Sequence, residues 1–179
     1  MTLTIVTPNQ KGGVGKTTTA VSLAHGLALR GRRVLLVDFD PQGQCATALG
    51  IQQEPGTFNA LVNPSADLRQ WIRNTGREGL DLLPGNRATA TAQIVINAEN
   101  RPVDAIADLF KPYAPDYDYI VFDTAPSVGG IQERAIFAAD RVLVPTATEF
   151  LSMEGLSQIV AMVASLQGMP IIHARGERR

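Results

Sequence analysis

Residues 7–18 read TPNQKGGVGKTT and join a predicted strand to a predicted helix. The strict phosphate-loop pattern G-x-x-x-x-G-K-[ST] requires a glycine where Gln10 stands, so the match fails at one position. Gly12, Gly13 and Gly15 still allow backbone N–H groups to turn inward around an anion, and the following helix points its positive dipole end at the same place. The segment therefore predicts a phosphate-binding loop.

Two side chains at the end of this loop suit a nucleotide carrying magnesium. Lys16 is placed to neutralise charge on the β- and γ-phosphates, and the Thr17 hydroxyl is placed to ligate Mg²⁺. The loop thus predicts a nucleoside triphosphate and Mg²⁺ as ligands.

Short apolar, β-branched runs alternate with longer helical patterns along the chain. This alternation predicts an α/β fold with a mainly parallel sheet and helices on both faces, because strands buried on both sides are apolar throughout. Together with the phosphate loop, it indicates a P-loop NTPase-like fold. The predicted strands are 3–7, 33–38, 80–83, 119–123 and 141–144, and the predicted helices are 16–30, 102–110 and 150–166.

The chain has the size and composition of one globular domain. It contains 179 residues, of which 45% are hydrophobic and 18% charged, so residues 1–179 are predicted to form a single domain. Residues 51–77 mix turn residues with short helical fragments, and we expect an irregular excursion from the core there. Residues 167–179 form a short basic tail.

Charge and cysteine content limit the partners and the compartment. Sixteen Lys and Arg residues against 17 Asp and Glu residues give a net charge of −1, so the global charge indicates neither a nucleic-acid nor a membrane partner. The single cysteine, Cys45, fits a reducing compartment. The first residues lack the form of a signal peptide, and no stretch reaches the roughly 18 apolar residues of a membrane span. These features predict a cytoplasmic protein.

Two of the predicted strands end in carboxylates that suit magnesium chemistry. Asp38 and Asp40 lie two residues apart at the end of one strand, and Asp123 ends another. If the strand geometry continues to Asp40, the side chains of Asp38 and Asp40 point to the same side. Ligands bind at the carboxyl ends of parallel strands, so we expect these residues near the phosphate loop. A carboxylate there can orient an attacking water and help to hold the Mg²⁺ shell.

The run Lys-Gly-Gly-Val-Gly-Lys-Thr-Thr at residues 11–18 resembles the deviant Walker A motif of the ParA/MinD group of P-loop ATPases. The resemblance implies ATP as the nucleotide. It also implies that Lys11 reaches across an ATP-sandwiched homodimer to the partner's phosphates, in the manner of an arginine finger. The nucleotide-binding residues that it implies are Lys11, Gly12, Gly13, Val14, Gly15, Lys16, Thr17 and Thr18.

The run Asp-Phe-Asp-Pro-Gln at residues 38–42 resembles the Walker A′ motif of the ParA or Soj-like branch, in which the second aspartate is needed for hydrolysis. The catalytic residues implied are then Lys11, Lys16 and Asp40. The strand ending at Asp123 resembles a Walker B element, and the Thr-Ala-Pro-Ser run after it resembles a loop that senses the γ-phosphate. The implied magnesium-binding residues are Thr17, Asp40 and Asp123, with Asp38 and Asp123 assigned to contacts through water.

The resemblance covers residues 3–166 and implies a slow, partner-stimulated ATPase. Such a protein acts as an ATP-dependent dimerisation switch in plasmid or chromosome partitioning, with a second copy of itself and a centromere-binding, ParB-like adaptor as partners and without a membrane. Family members continue further, with a base-recognition loop and basic C-terminal helices, so this sequence is expected to be C-terminally short. Non-specific DNA binding, which would place the protein on the nucleoid, is then left to arginines 30, 32, 33, 69, 73, 77, 175, 178 and 179.

Three other functions stay open at this level. A shortened, weakly active or inactive relative could regulate a full-length partner by mixed dimerisation. A MinD-type positioning ATPase would need a basic amphipathic C-terminal helix, and the predicted helix at 150–166 contains no Lys or Arg. An ATP-dependent small-molecule ligase or kinase would fit the same scaffold, but Lys11 and the Asp-Pro-Gln run weigh against it.

Overall fold

A computed structural model describes residues 1–9, 12–126, 130–146 and 152–167, with the backbone alone at residues 152–155 and 167. Its strands form one sheet in the order β3-β4-β2-β5-β1-β6. Neighbouring strands run parallel except for the antiparallel pair of β3 and β4. The strands are β1 (Leu3–Thr7), β2 (Val34–Phe39), β3 (Arg73–Arg77), β4 (Leu80–Leu83), β5 (Tyr119–Thr124) and β6 (Arg141–Val142).

Helices cover both faces of this sheet, which confirms the predicted fold class. Alternate residues of β2 enter two separate cores: Leu35 and Val37 face one, and Val34 and Leu36 face the other. The helices are α1 (Lys16–Ala28), α2 (Gln44–Leu49), α3 (Gly56–Val62), α4 (Ala88–Ala98), α5 (Ala105–Phe110), α6 (Ile131–Ala138) and α7 (Ser152–Gln167). α1 and α2 pack on the Val34 face, and the other five helices pack on the Leu35 face.

The central strand and the first helix follow their sequence patterns closely. Every residue of β2 is buried, as expected of an apolar strand between two helical layers. α1 ends two residues before its predicted end because Gly31 adopts a left-handed conformation with φ of +75°. Gly31 N–H donates to the Ala28 carbonyl and Arg32 N–H to the Leu27 carbonyl, which closes the helix.

The structure corrects the expectation for residues 51–77. This segment contains α3 and the edge strand β3, and both belong to the main fold. Leu61 and Leu68 enter the larger core, and β3 pairs with β4 through a short hairpin. The sequence pattern is weak here because β3 reads Arg-Asn-Thr-Gly-Arg and buries only Thr75, as an edge strand can.

Other elements also depart from the predictions. The helices α2, α3, α4 and α6 were not predicted; three of them have eight residues or fewer, too short for a clear 3.6-residue period. Strand β6 has two residues where four were predicted. Within the described ranges, no helix is long and apolar enough to cross a membrane.

Candidate nucleotide-binding site

Three strand ends meet beside the phosphate loop. Thr7 at the end of β1 lies opposite Asp123 on β5, and Asp123 lies opposite Asp38 on β2. The register of the parallel strands therefore brings the segments that follow β1, β2 and β5 to the same edge of the sheet. This is the edge where α/β folds bind ligands.

The phosphate loop has the backbone conformation that its glycines predict. Gly13 and Gly15 have φ of +75° and +84°, which favours glycine because other residues carry a Cβ that is strained there. A Cβ added at Gly12, Gly13 or Gly15 would meet no atom within 4 Å, so the loop faces open space. α1 begins directly after it, and Thr19 N–H donates to the Gly15 carbonyl at 2.8 Å. An anion in this space would reach backbone N–H groups and the positive end of the α1 dipole.

The loop lines an open cleft of about 560 Å³. Most of the predicted nucleotide-binding residues and Asp40 line it, whereas Val14 does not, and Lys11 lies outside the described residues. Sequence reasoning missed six lining residues, two of which, Val21 and Ser22, lie one helical turn beyond Thr17 and Thr18 and could have been found from that spacing. The full lining is Gly12, Gly13, Gly15, Lys16, Thr17, Thr18, Val21, Ser22, Asp40, Gln42, Gln44, Ala48 and Pro126.

Lys16 lines the cleft and is 6% exposed. Burial lowers the pKa of Lys16, and the negative charges of Asp123 and Asp40 oppose that change. The ammonium group is thus held near carboxylates in a partly desolvated position. A phosphate in the cleft would add the negative charge that this position favours.

Asp38 and Asp40 do not share one strand geometry, because β2 ends at Phe39. Asp38 is fully buried and turns its carboxylate under the chain: one oxygen accepts Asp40 N–H and the other accepts Cys45 N–H, both at 3.0 Å. Burial, followed by the charge of Asp123, raises the pKa of Asp38 to about 7. The structure thus uses Asp38 to shape the turn and leaves Asp40, 8% exposed, on the wall of the cleft.

Asp123 is fully buried directly behind the loop. One oxygen is 3.5 Å from the Thr7 hydroxyl, and the other accepts from the Cys45 thiol at 3.4 Å. Burial raises the pKa of Asp123 to about 6, against the effect of a hydrogen bond from the Thr17 hydroxyl. Thr17 and Asp123 are therefore direct neighbours, and the hydroxyl and carboxylate oxygens are ligands of the kind that Mg²⁺ prefers.

The contact between Cys45 and Asp123 was not predicted from the sequence. Burial, and then the charge of Asp38, raises the pKa of the Cys45 thiol, so the sulfur keeps its proton and can donate. Ligand atoms of Asp38, Cys45 and Asp123 lie within 4.8 Å of one another. The sequence offered one indirect signal for this contact: Cys45 is the second residue of α2 and follows closely on the turn after Asp40.

The arginine groups proposed for DNA differ in their surroundings. Arg69 pairs with Asp116 at 2.7 Å, and Arg73 pairs with Glu54 at 2.6 Å. Arg77 donates to the Leu49 carbonyl at 3.0 Å. These three arginines serve contacts within the chain. Arg30, Arg32 and Arg33 are exposed, with Arg33 3.5 Å from the Pro115 carbonyl, and residues 175–179 lie outside the described ranges.

A parallel sheet with this loop, this buried lysine and these strand-end carboxylates defines a P-loop NTPase-like protein. A family model described as an AAA domain matches residues 2–172. The chain is 43% identical to the chromosome partitioning protein ParA of Myxococcus xanthus over 155 residues, and 40% identical to the sporulation initiation inhibitor protein Soj of Bacillus subtilis over 167 residues. The chain therefore belongs to this AAA-domain family, and within it the chain is similar to ParA-type partition proteins.

A solved structure extends the comparison. The fold is similar to cobyrinic acid a,c-diamide synthase from Mycobacterium smegmatis with a bound ATP analogue and magnesium, with a TM-score of 0.86 and 31% identity. That match covers 94% of this chain and 70% of the synthase chain. The matches to ParA and Soj cover 84% and 91% of this chain but only 54% and 65% of those proteins.

Proposed function

We propose that this chain binds ATP with Mg²⁺ and hydrolyses it slowly. The carrying observation is that Lys16, Thr17 and Asp40 line the same cleft, with Thr17 hydrogen-bonded to Asp123 behind it. The Mycobacterium smegmatis structure, which holds an ATP analogue and magnesium, supports the choice of ligands.

Each residue has a role that follows from its position. The glycine loop binds the phosphates through backbone N–H groups, and Lys16 neutralises the charge of the β- and γ-phosphates. Thr17 and Asp123 would hold the magnesium, Asp123 through a water molecule. When bound there, the metal would supply positive charge that offsets the charge developing during transfer. Asp40, which also lines the cleft, orients the attacking water.

Through this site, ATP binding switches the protein from monomer to dimer in plasmid or chromosome partitioning. In this proposal, Lys11 contacts the phosphates bound by the other protomer, and a ParB-like adaptor stimulates hydrolysis in the cytoplasm. The similarity to ParA and Soj supports this role. Hydrolysis would then return the dimer to monomers.

The molecular mass in solution tests the switch. Light scattering is measured without nucleotide, with ADP and with ATP–Mg²⁺, using Asp40→Ala to block turnover. Lys16→Ala serves as the variant that cannot bind nucleotide, and Lys11→Ala as the variant that binds but does not dimerise. We expect a dimer only for Asp40→Ala with ATP–Mg²⁺.

Two outcomes would contradict the proposal in different ways. A stable Lys11→Ala dimer with ATP would remove the cross-subunit role of Lys11. A monomer in all three states, with nucleotide bound, would support the alternative of a shortened regulator that dimerises with a longer relative.

Non-specific DNA is proposed as a partner through Arg30, Arg32, Arg33 and the tail arginines. Titration of labelled duplex with ATP at low and high salt measures this directly, because phosphate contacts weaken steeply as salt rises. Binding that is absent at low salt would overturn this part of the proposal.

A second candidate is an ATP-dependent small-molecule ligase, favoured by the likeness to the Mycobacterium smegmatis synthase. A ligase would consume ATP only with an acceptor carboxylate and an amine donor. Steady ATP hydrolysis by the purified chain without any such acceptor would exclude this candidate.

A further inference from the structure

The segment that carries Asp40 is a tight turn at residues 40–43. Asp40 N–H donates to the Asp38 carboxylate at 3.0 Å, and Gln42 N–H donates to the Asp40 carboxylate at 2.8 Å. Gly43 N–H donates to the Asp40 carbonyl at 3.0 Å. The position of the Asp40 carboxylate in the cleft therefore depends on the conformation of this turn.

The chain returns to this turn after α2. That helix ends at Leu49 and is capped by Gly50, whose left-handed φ of +71° reverses the chain. Ile51 N–H then donates to the Ala46 carbonyl at 2.9 Å. The reversal brings Gln53 back beside the start of α2. Gln53 thus meets the turn from outside the cleft.

The Gln53 side-chain amide is placed over carbonyls of the turn. Its nitrogen is 3.0 Å from the Gln42 carbonyl, 3.1 Å from the Gly43 carbonyl and 3.2 Å from the Thr47 hydroxyl. Two N–H groups therefore serve three acceptors, two of which belong to the turn itself. Neither Gln53 nor these contacts reach the phosphate loop.

Close packing adds to the hydrogen bonds. A Cβ on Gly43 would lie 2.7 Å from the Gln53 amide carbon and 2.7 Å from the Gly85 carbonyl oxygen. Gly43 is therefore held between Gln53 on one side and the chain after β4 on the other. A turn packed in this way has little freedom to move Asp40.

We propose that Gln53 is a positioning residue for Asp40, holding the turn at residues 40–43 in the form that hydrolysis requires. This inference rests on the proposed role of Asp40 in orienting water. It assigns to the 51–77 segment a part in catalysis beyond that of completing the sheet.

The test compares Gln53→Ala and Gln53→Glu with matched changes at the neighbouring residue, Gln52→Ala and Gln52→Glu. Gln52 is also exposed, so each pair of variants carries the same substitution and differs only in its position. Three quantities are measured: the single-turnover rate of ATP hydrolysis, the Kd for a fluorescent ATP analogue, and amide hydrogen exchange in peptides that cover residues 40–47.

We expect Gln53→Ala to lower the hydrolysis rate roughly fivefold, as the loss of about one net hydrogen bond would. Gln53→Glu should lower it further, because a carboxylate would face the Gln42 and Gly43 carbonyls. The Kd should stay within about twofold of wild type, since the phosphate loop is untouched. Exchange at residues 40–47 should accelerate in both Gln53 variants and in neither Gln52 variant.

Equal hydrolysis rates for the Gln53 and Gln52 variants would overturn the inference. A rise in the Kd of the Gln53 variants with an unchanged hydrolysis rate would also overturn the inference, because Gln53 would then affect nucleotide binding and not the position of Asp40 in hydrolysis. If wild type binds ATP but never hydrolyses it, the proposed function fails, and faster exchange in Gln53→Ala alone would still show that Gln53 holds the turn.

Discussion

At the residue scale, the Asp123 carboxylate is distinguished by the donors around it. The Thr17 hydroxyl and the Cys45 thiol, the latter at 3.4 Å, donate to it. The Thr7 hydroxyl lies 3.5 Å away, with the Phe122 carbonyl as a nearer acceptor at 3.1 Å. A fully buried carboxylate is costly unless such donors satisfy it. The thiol keeps its proton in this setting, so Cys45 acts here as a donor.

We predict that Cys45→Ala lowers the free energy of unfolding by about 1–2 kcal/mol, since it removes one hydrogen-bond donor from a buried carboxylate. Cys45→Ser should lose less, because its hydroxyl can still donate. Urea unfolding at pH 8 without magnesium measures both. A serine variant as unstable as the alanine variant would show that the thiol contributes packing alone.

A second residue-scale prediction concerns glycine. Gly43→Ala should destabilise the protein by about 2 kcal/mol or more, because φ is +63° and the added Cβ would lie 2.7 Å from two atoms. Gly26→Ala is the control: it lies in α1 with no atom within 4 Å of the new Cβ, and it should stabilise by about 0.5–1 kcal/mol. Thermal unfolding of both variants checks the difference in sign.

At the element scale, α5 is joined to the sheet by aromatic packing. The Phe110 ring lies 6.3 Å from that of Phe39 on β2 and 5.2 Å from that of Phe122 on β5. Phe39 and Phe122 are themselves 5.2 Å apart. These rings lie under the strand ends that carry Asp38 and Asp123, so this cluster supports the site from the opposite face of the sheet.

Phe110→Ala should therefore cost about 3–5 kcal/mol of stability, as expected for the loss of a buried aromatic ring. Ile94→Ala, on the exposed side of α4, is the matched control because Ile94 is 68% exposed. It should change stability by no more than about 0.5 kcal/mol. Chemical denaturation that gives similar losses for both variants would contradict the packing assigned to α5.

At the scale of the whole molecule, the cleft is assembled from α1, the turn after β2, α2 and Pro126 after β5. These segments are far apart in the chain and lie together only when the sheet is formed. A ligand in the cleft therefore binds the folded protein alone and should stabilise it by mass action.

ATP–Mg²⁺ at about 100 times its Kd should stabilise the Asp40→Ala protein by about 2.7 kcal/mol, which corresponds to a rise in Tm of roughly 5–10 °C. The same nucleotide should not shift the Tm of the Lys16→Ala protein, because this variant lacks the ammonium group that neutralises the phosphates. Differential scanning fluorimetry measures both. An equal shift in the Lys16→Ala protein would mean that nucleotide binds elsewhere.

Much of the fold and of the phosphate site could be predicted from local patterns. Strands 3–7 and 80–83 were predicted to the residue, because each is a short, mainly apolar run set off from the helical patterns around it. The conformations of Gly13 and Gly15 were implied by residue type, since glycine tolerates positive φ. The helices at residues 88–98 and 131–138 were not predicted, although each buries an apolar face, which includes Ile96 in the first and Ile136 in the second.

Local sequence thus specifies the class of fold and the chemistry of the loop, because backbone conformation and strand burial depend on neighbouring residues. The partners of each carboxylate came only from the tertiary structure. Asp38 turned to the backbone of its own turn, Asp123 found the Cys45 thiol, and Gln53 reached the Asp40 turn from a segment expected to be irregular. Such contacts depend on strand register and on where the chain reverses, and these are set by the packing of the whole domain.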